Sequence, residues 1–542
     1  MPTTRLRAAR AQVAAVLLGG VACVALWTLI RAPWPAAWQT DERDYLRAAV
    51  HLARSGVVSH APVSDPSPAR DAYREPGFSL ALAAAWRATG AAPPATDEAF
   101  GDVSPTRAAR AARWLGVALL LIAAGAAAAA ARYAGAGTIA AALAGVLVVA
   151  SPALRAAAAT LASESLAAAL VAVAGAALAA AVAGRPGAVA VAGLAAGLAP
   201  LARGSALALA PAGLLLLLGA PRDLTPRRRA ARALLFAVLA LAPAGAWMLR
   251  NRAATGHAVL SDRGGQVLWT RAELDRELAR EGLVPALLEW TPLDAARAAR
   301  ERRYPDSRLA RYEWSGEGNF FTRSLRRWQA ERAAGDDPLA ADATLGRAAL
   351  AEFARRPIDH ARAAVAVSWR GLFAERSPPA LAPLDLGFAL GLLLAGGCLA
   401  LAWAAARARR PEALALLAPA AALFLFHALA TEFLPRFGVP ALPLAWAALV
   451  AALAGRAGQN SEGPAAASPG ALSNRKPVSE PRFRRQGKAA LHCEVSPVSK
   501  SPMKGMVSAT QLWTLTSSRY QPSRSTEMSV PSRKRKFTVW PA

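Results

Sequence analysis

The sequence predicts an all-α, polytopic transmembrane helical bundle of about 10–12 spans, with a mostly helical extracytoplasmic loop region and a disordered C-terminal tail. Three observations predict this class. Hydrophobic residues make up 54% of the 542 residues, a share too large for a soluble multidomain chain. Between Arg10 and Arg456 the chain repeatedly runs for 17 to 22 residues without a charge, which is the length that crosses a bilayer. After Gly458 the composition changes to Ser, Pro, Lys and Arg, which cannot bury a core.

The uncharged runs supply the predicted spans in order. The first follows Arg5, Arg7 and Arg10 and is too long for a cleaved signal peptide, so it predicts a retained signal anchor with a cytoplasmic N-terminus. A weaker run starts at Pro76 and is interrupted by Arg87. The clear runs are 11–30, 114–131, 133–154, 165–184, 186–202, 204–221, 233–249, 386–406, 413–431 and 437–455.

Arginine clusters predict which loops are cytoplasmic. One cluster lies within residues 222–232 and another within residues 407–410. With these two loops inside the cell, Asp41, Arg250 and the segment 431–436 all emerge on the extracytoplasmic face.

The number of spans before Arg250 stays open at this stage. If every apolar run in this part crosses the membrane, Arg250 falls on the cytoplasmic face. Either the run from 76 to 95 does not cross, or the pair 186–202 and 204–221 is not two full spans. The side on which Glu164 lies depends on this choice.

These runs and polar stretches divide the chain into four segments. They are an N-terminal transmembrane catalytic module, 1–249, with a first extracytoplasmic loop at 31–76; an extracytoplasmic loop region, 250–385; C-terminal transmembrane helices, 386–455; and a disordered basic tail, 456–542. The dominance of Ala, Leu and Arg suggests a GC-rich bacterial genome, so the predicted location is the bacterial inner (plasma) membrane.

The net charge of +27 does not indicate nucleic-acid binding. Residues 456–542 hold 15 Lys or Arg against 4 acidic residues and therefore supply +11 of that charge. Excess arginine in cytoplasmic loops is ordinary for a membrane protein. The three cysteines have no metal-ligand spacing, and no metal site is predicted.

Acidic residues and arginines share the predicted extracytoplasmic face. They are Asp41, Glu42, Asp44, Arg74, Glu75, Arg250, Arg252, Glu432 and Arg436. A carboxylate can accept the proton of an attacking hydroxyl, and arginines can hold a phosphate through charge-assisted hydrogen bonds. This combination suits a substrate with its lipid in the bilayer, its phosphate at the interface and its sugar just outside.

Several segments, in this order, resemble the GT-C class of lipid-linked-sugar glycosyltransferases, which includes protein O-mannosyltransferases and bacterial aminoarabinose transferases. The segments are Asp41-Glu42 with Tyr45, Tyr73 to Phe78, Ser163 to Leu166, Gly193 to Arg203, Trp247 to Asn251 with Gly264 to Trp269, and Arg436 to Pro440. Together they cover roughly residues 11–455, and their order carries the resemblance.

The resemblance implies an integral membrane glycosyltransferase that moves a sugar from a polyprenyl-phosphate donor to an acceptor hydroxyl, with inversion, on the extracytoplasmic face. Asp41 would be the general base and Arg74 a contact of the donor phosphate, with Arg250 and Arg436 as further candidates. The substrate-binding set is completed by Glu42, Tyr45 and Glu75. Relatives often place a cation directly before the proline of the second segment, where this chain has Glu75.

The implied partners are the donor, a lipid, glycan or protein acceptor, and membrane lipids, without nucleic acid. No cofactor is required by the resemblance, although some GT-C enzymes use a divalent metal. The alternative functions are a secondary transporter and a lipid-binding or flippase protein without transferase chemistry. A transporter is expected to show paired inverted halves, whereas the spans here cluster unevenly around one long polar region.

Single residues also have simpler interpretations. Asp41 and Glu42 fit the first turn of a surface helix that starts at Thr40. Arg74 fits a cation that extends to the membrane interface. Arg203 interrupts an apolar stretch and needs a partner that the sequence does not identify.

Overall fold

A computed structural model describes residues 2–31, 40–96, 106–219, 224–307, 309, 319–335, 337–377, 384 and 386–461. The described residues belong to one compact unit. Within them the chain is helical and has no β-strand, so the predicted all-α class is confirmed. The tail predicted to be disordered was placed at 456–542. Residues 456–461 instead belong to the last helix, and the residues from 462 onward lie outside the described residues.

The helices are named in chain order. Before the polar loop region they are α1 (Pro2–Arg31), α2 (Thr40–Ser55), α3 (Gly77–Thr89), α4 (Arg107–Tyr133), α5 (Thr138–Ala150), α6 (Pro152–Ala159), α7 (Glu164–Val182), α8 (Ala188–Ala202), α9 (Leu209–Gly219) and α10 (Pro226–Thr255), with a 3₁₀ turn at Gly204–Ala208. The loop region holds α11 (Gly264–Glu281), α12 (Leu283–Trp290), α13 (Asp294–Arg303), α14 (Phe320–Ala334), α15 (Pro338–Arg355) and α16 (Pro357–Gly371). The last helices are α17 (Gly387–Arg407), α18 (Pro411–Ala430), α19 (Pro435–Gly438) and α20 (Leu442–Ser461), with a 3₁₀ turn at Val439–Ala441.

Of the predicted 10–12 spans, six described helices are long and apolar enough to cross a membrane, or seven if α5 and α6 count as one. Three shorter apolar helices add to them: Val16–Arg31, Ala188–Ala202 and Gly204–Gly219. The run 133–154 breaks at Ser151 because a residue before proline avoids the helical conformation, and α5 and α6 are bent there by 52°. The pair 186–202 and 204–221 breaks at Arg203, whose backbone is extended.

Helix α3 is not among the described helices that are long and apolar enough to cross a membrane. Its 13 residues reach about 20 Å, which is short of the roughly 30 Å of a bilayer core. It packs instead against α2, the start of α4 and the end of α8. Of the two alternatives for the count of spans before Arg250, the length of α3 favours the one in which the run at 76–95 does not cross.

Contacts at the ends of the helices distinguish two ends of the bundle: the site end, with Tyr45, Glu164 and Arg203, and the basic end, with Arg232 and the end of α7. At the site end, Tyr45 Oη donates to Ser163 Oγ at 3.1 Å, and Arg203 Nη1 lies 3.0 Å from Glu164 Oε1. At the basic end, Arg232 donates to the carbonyl of Ala181. Glu164, whose side the sequence left open, therefore lies at the same end as Tyr45 and the rest of α2.

Small residues allow the helices of the bundle to pack closely. Gly193 and Gly197 lie one turn apart on α8 and face α10. A Cβ atom on Gly197 would lie 2.4 Å from the carbonyl oxygen of Leu239. Close backbone approach of this kind is how helices associate in lipid, where apolar burial against a neighbour gives little advantage.

The loop region was predicted to be mostly helical, and its described residues form six helices. Helix α11 ends before Gly282, which has a φ of +88°. Helix α15 starts after Asp337, whose carboxylate accepts from the amides of Leu339 and Ala340, and it ends before Pro357. An aspartate cap at the start and a proline after the end are the expected boundary signals.

Gly77, the first residue of α3, allows this helix to contact α8. A Cβ atom at this position would lie 2.6 Å from the carbonyl oxygen of Leu201, which is backbone and cannot move aside. We expect Gly77→Ala to destabilise the protein by about 1–3 kcal/mol and to shift the adjacent Arg74 and Glu75. Thermal unfolding in detergent measures the loss.

The matched control is Gly125→Ala on α4, where nothing lies within 4 Å of the added atom. That change replaces glycine by a better helix former and is expected to be neutral, or stabilising by up to about 1 kcal/mol. Equal melting temperatures for the two variants would contradict the tight approach of α3 to α8.

Candidate active site

Asp41 lies between two arginines at the site end. Its Oδ1 accepts from Arg74 Nη2 at 2.8 Å, and its Oδ2 accepts from Arg436 Nη2 at 3.1 Å. Arg74 also donates from Nε to Asp44 Oδ2 at 2.7 Å, since Asp41 and Asp44 are three residues apart on one face of α2. The structure thus brings together three of the residues that the sequence singled out: Asp41, Arg74 and Arg436.

The charges around Asp41 keep it ionised. Burial alone would raise the pKa of its carboxyl group, but Arg74, Arg436 and Arg263 outweigh that effect and lower the pKa to about 2. The side chain of Asp41 is 33% exposed, so it stays accessible to a molecule that approaches this end of the bundle. The nearby carboxylates raise the pKa of Arg74, which is therefore charged throughout the physiological range.

A second ion pair lies beside the first. The guanidinium of Arg203 is 3.0 Å from Glu164 Oε1 and lies 4.4 Å from the centre of the Phe437 ring. The guanidinium of Arg436 lies 5.6 Å from the centre of the same ring. Glu164 is therefore the partner of Arg203 that the sequence could not identify. The ring of Phe437 lies near one arginine from each ion pair, Arg203 and Arg436.

We expect the pair of Glu164 and Arg203 to show strong coupling in a double-mutant cycle. Glu164→Gln leaves Arg203 unpaired in a mostly buried place and is expected to cost about 3–5 kcal/mol, and Arg203→Gln a similar amount. The double variant should lose much less than the sum. Thermal unfolding of the four proteins in detergent gives the coupling energy.

The surface pair of Arg327 and Glu331 on α14, at 3.6 Å, supplies the comparison cycle. Exposed helical pairs of this kind couple by about 0.3–0.5 kcal/mol. A coupling for Glu164 and Arg203 as small as that value would show that the two buried side chains do not depend on each other.

Glu42 and Tyr45 join α2 to the segment before α7. Glu42 is buried, and its Oε1 accepts from the amide of Leu161 at 3.3 Å. Tyr45 is buried with its ring edge against Phe78, and burial raises the pKa of its hydroxyl to about 12. Since Tyr45 is neutral, its hydroxyl can serve as the hydrogen-bond donor to Ser163.

Glu75 and Arg250 contact other parts of the site end. Glu75 Oε1 accepts from the amide of Gly204 at 3.2 Å and from Ser261 Oγ at 3.3 Å. Arg250 donates to the carbonyl oxygens of Asp71 and Val58 in the first loop. Glu75, directly before Pro76, therefore binds the backbone just after the end of α8. Arg250 connects the end of α10 to the first loop.

Two further charged residues belong to this site: Arg263, which the sequence analysis missed, and Glu432, which it placed on the shared face without a role. Arg263 contributes to the low pKa of Asp41, and its guanidinium lies 5.7 Å from the centre of the Tyr73 ring. Glu432 is only 6% exposed, and burial raises the pKa of its carboxyl group against the opposing effect of nearby arginines. The position of Arg263 directly before the segment that starts at Gly264 was the available sequence signal.

Within the described part of the chain, no group of three or more His, Cys, Asp or Glu side chains could hold a metal ion. The acidic residue that the site exposes, Asp41, has both carboxylate oxygens paired with arginine. This donor set does not fit a divalent cation, and we assign no chemical step to one.

No family model matches the chain, and no curated protein matches it. Solved structures do match it. ArnT from Cupriavidus metallidurans, bound to undecaprenyl phosphate, is 18% identical with a TM-score of 0.40, over 81% of this chain and 59% of that one. The oligosaccharyltransferase of Archaeoglobus fulgidus in its apo form is 14% identical with a TM-score of 0.44, over 83% and 52%. The same organism's AglB, in complex with an inhibitory peptide and a dolichol-phosphate, is 14% identical with a TM-score of 0.41, over 85% and 53%.

The matched proteins belong to the class that the sequence resembles. This chain spans between half and three-fifths of the length of those three structures. Because the TM-scores lie below 0.5, the function has to be argued from the residues of this chain.

Proposed function

We propose that this protein transfers a sugar from a polyprenyl-phosphate-linked donor to an acceptor hydroxyl at the site end, with inversion of the anomeric centre. The observation that supports the proposal best is the partly exposed carboxylate of Asp41, held between Arg74 and Arg436. One base and two phosphate-binding cations within hydrogen-bond distance are the groups that this reaction needs.

In the resting protein the arginines suppress the basicity of Asp41. A carboxylate with a pKa of about 2 is a poor acceptor for the proton of a sugar or other hydroxyl. A donor phosphodiester carries one negative charge and would compete with Asp41 for Arg74 and Arg436, since a guanidinium group binds a phosphate through two parallel hydrogen bonds as well as it binds a carboxylate. Binding of the donor therefore frees the carboxylate and makes it more basic at the moment when the acceptor arrives.

The reaction is then a single displacement. The acceptor hydroxyl gives its proton to Asp41, and its oxygen forms a bond to the anomeric carbon. The bond between that carbon and the phosphate oxygen breaks, and the electron pair leaves with the polyprenyl phosphate. Arg74 and Arg436 stabilise the negative charge that develops on the leaving phosphate.

The other predicted residues are proposed to shape the site. Glu42 and Tyr45 hold α2 against the segment before α7, Glu75 holds the start of α3 near Gly204, and Arg250 holds the first loop. These contacts fix the distance between Asp41 and its arginines.

We further propose that the site end is extracytoplasmic in the bacterial inner membrane and that the N-terminus is cytoplasmic. The arginines at the start of α10 and at the end of α17 lie at the opposite, basic end of the bundle. Short loops rich in arginine are retained in the cytoplasm. A protease-accessible tag inserted beside Arg70, cleaved only from outside the cell, would test this orientation.

Purified protein in liposomes tests the reaction itself. It is incubated with radiolabelled polyprenyl-phosphate sugars and an extract of envelope lipids and glycans, and label is expected to move to an acceptor as polyprenyl phosphate is released. The anomeric configuration of the product by NMR tests inversion. Uptake of substrate into the vesicles without transfer from any donor would instead favour the transporter.

A further inference from the structure

Arg271 is a buried cation that links the loop region to the membrane helices. It lies in α11, and its side chain is 0% exposed. Its Nε pairs with Asp275 Oδ1 at 2.6 Å, and its Nη1 donates to the carbonyl oxygens of Ala428 and Thr431, the latter at 2.9 Å. Its Nη2 donates to the carbonyl of His360 at 3.3 Å. A guanidinium group on the last carbonyls of a helix closes its C-terminus, in this case that of α18.

A second arginine of the loop region contacts the turn that follows α18. Arg370, in α16, donates to the carbonyl oxygen of Glu432 at 3.5 Å. The next residue, Phe433, has a φ of +42°, a conformation that a bulky side chain rarely adopts. Its fully buried ring lies against Gly371, and its amide donates to Thr431 Oγ1 at 3.0 Å.

This turn determines where Arg436 lies. Arg436 comes three residues after Phe433, in the short helix α19, and its guanidinium meets Asp41. Two loop-region arginines therefore hold three carbonyls, at residues 428, 431 and 432, just before the residue that faces the candidate base. A backbone conformation that is unfavourable by itself persists only when its surroundings hold it.

We propose that Arg271 is a positioning residue. By donating hydrogen bonds to the end of α18, it holds Arg436 in the position from which Arg436 contacts Asp41. The geometry of the candidate active site then depends on the loop region. The kinetic part of this inference rests on the proposed transferase function, whereas the structural part does not. Arginine is needed because its planar fork reaches one carboxylate and several carbonyls together, which the single ammonium of lysine cannot do.

The structural part is tested by hydrogen exchange on the full-length protein in detergent. Arg271→Lys keeps the charge, and we expect amides in residues 431–438 to exchange about 10-fold faster or more, since this turn loses its outside support. The matched control is Arg300→Lys, a buried loop-region arginine that pairs with Glu289 at 2.7 Å and lies in a different helix, α13. Unchanged exchange in 431–438 for Arg271→Lys, or equal acceleration in the control, would overturn the inference whether or not the protein transfers sugar.

The kinetic part is tested by a double-mutant cycle on sugar transfer. Arg271→Lys is expected to lower kcat/KM for the donor by about 10²-fold, because a displacement of roughly 1 Å in a catalytic group has that effect. If Arg271 acts through Arg436, the same change should lower kcat/KM little further in an Arg436→Gln background. Additive losses would mean that Arg271 supports the fold in general, and the inference would then be wrong.

Discussion

Asp41→Asn is expected to reduce sugar transfer by about 10²–10⁴-fold, the usual loss when a general base is removed. Asparagine has nearly the same shape and can still accept a hydrogen bond from Arg74 or Arg436, so the site should keep its form. It cannot take up the acceptor's proton. The measurement is the initial rate of label transfer by purified wild-type and variant protein at equal folded concentration.

The control for this substitution is Asp65→Asn in the same loop. Asp65 accepts from the amide of Ser67 in a surface turn and has no part in the proposed reaction. It should transfer sugar at the wild-type rate. If Asp41→Asn transferred sugar at the wild-type rate, the hypothesis that Asp41 is the general base would be wrong.

The same variant should change how stability depends on pH. The pKa of Asp41 is about 2 in the folded protein, below its ordinary value of 3.8, so the ionised carboxylate stabilises the fold above about pH 4. That contribution is lost as the pH falls from about 4 to 2. In Asp41→Asn it is absent at every pH, so the melting temperature should be lower at neutral pH and should fall less steeply across this acid window.

Arg74→Lys is the second change with a large expected effect. Arg74 uses Nη2 for Asp41 and Nε for Asp44, at 2.8 and 2.7 Å, and a single ammonium cannot reproduce this paired geometry. We expect a large rise in the donor KM together with a fall in kcat, because the same group is proposed to hold the phosphate in the ground state and as it leaves. Steady-state kinetics with the donor varied separates the two effects.

A further substitution at this position separates charge from shape. Arg74→Met leaves Asp41 and Asp44 without their shared cation and is expected to destabilise the fold by about 3–5 kcal/mol, whereas Arg74→Lys should lose less. Arg70→Lys, an exposed change four residues earlier in the same loop, should alter neither stability nor rate. If Arg74→Lys left the donor KM unchanged, Arg74 would not be a phosphate contact.

The helical class could be predicted from the sequence, and several helix boundaries have local causes that the sequence contains. Uncharged runs of bilayer length, Gly282 after α11 and Asp337 before α15 each act within a few residues of the boundary that they set. The helix break at Ser151 also has a local cause, the proline that follows it. It was not predicted, because the uncharged run 133–154 continues across it.

The pairings within the site could not be derived in the same way. Glu164 and Arg203 belong to different helices, and which acid meets which arginine depends on how those helices pack. Arg271 was missed for a different reason. Three of its partners are backbone carbonyls, which every residue has, so no pattern of side chains in the sequence predicts the contact.

The meeting of Asp41 with Arg436 also has a consequence for biosynthesis. The two residues are separated by 395 positions, so the ribosome makes one long before the other. At translation rates of about 5–20 residues per second, roughly 20–80 s pass between them. During that interval the nascent chain contains Asp41 but lacks Arg436, so under the proposed mechanism sugar transfer requires the later insertion of the last helices.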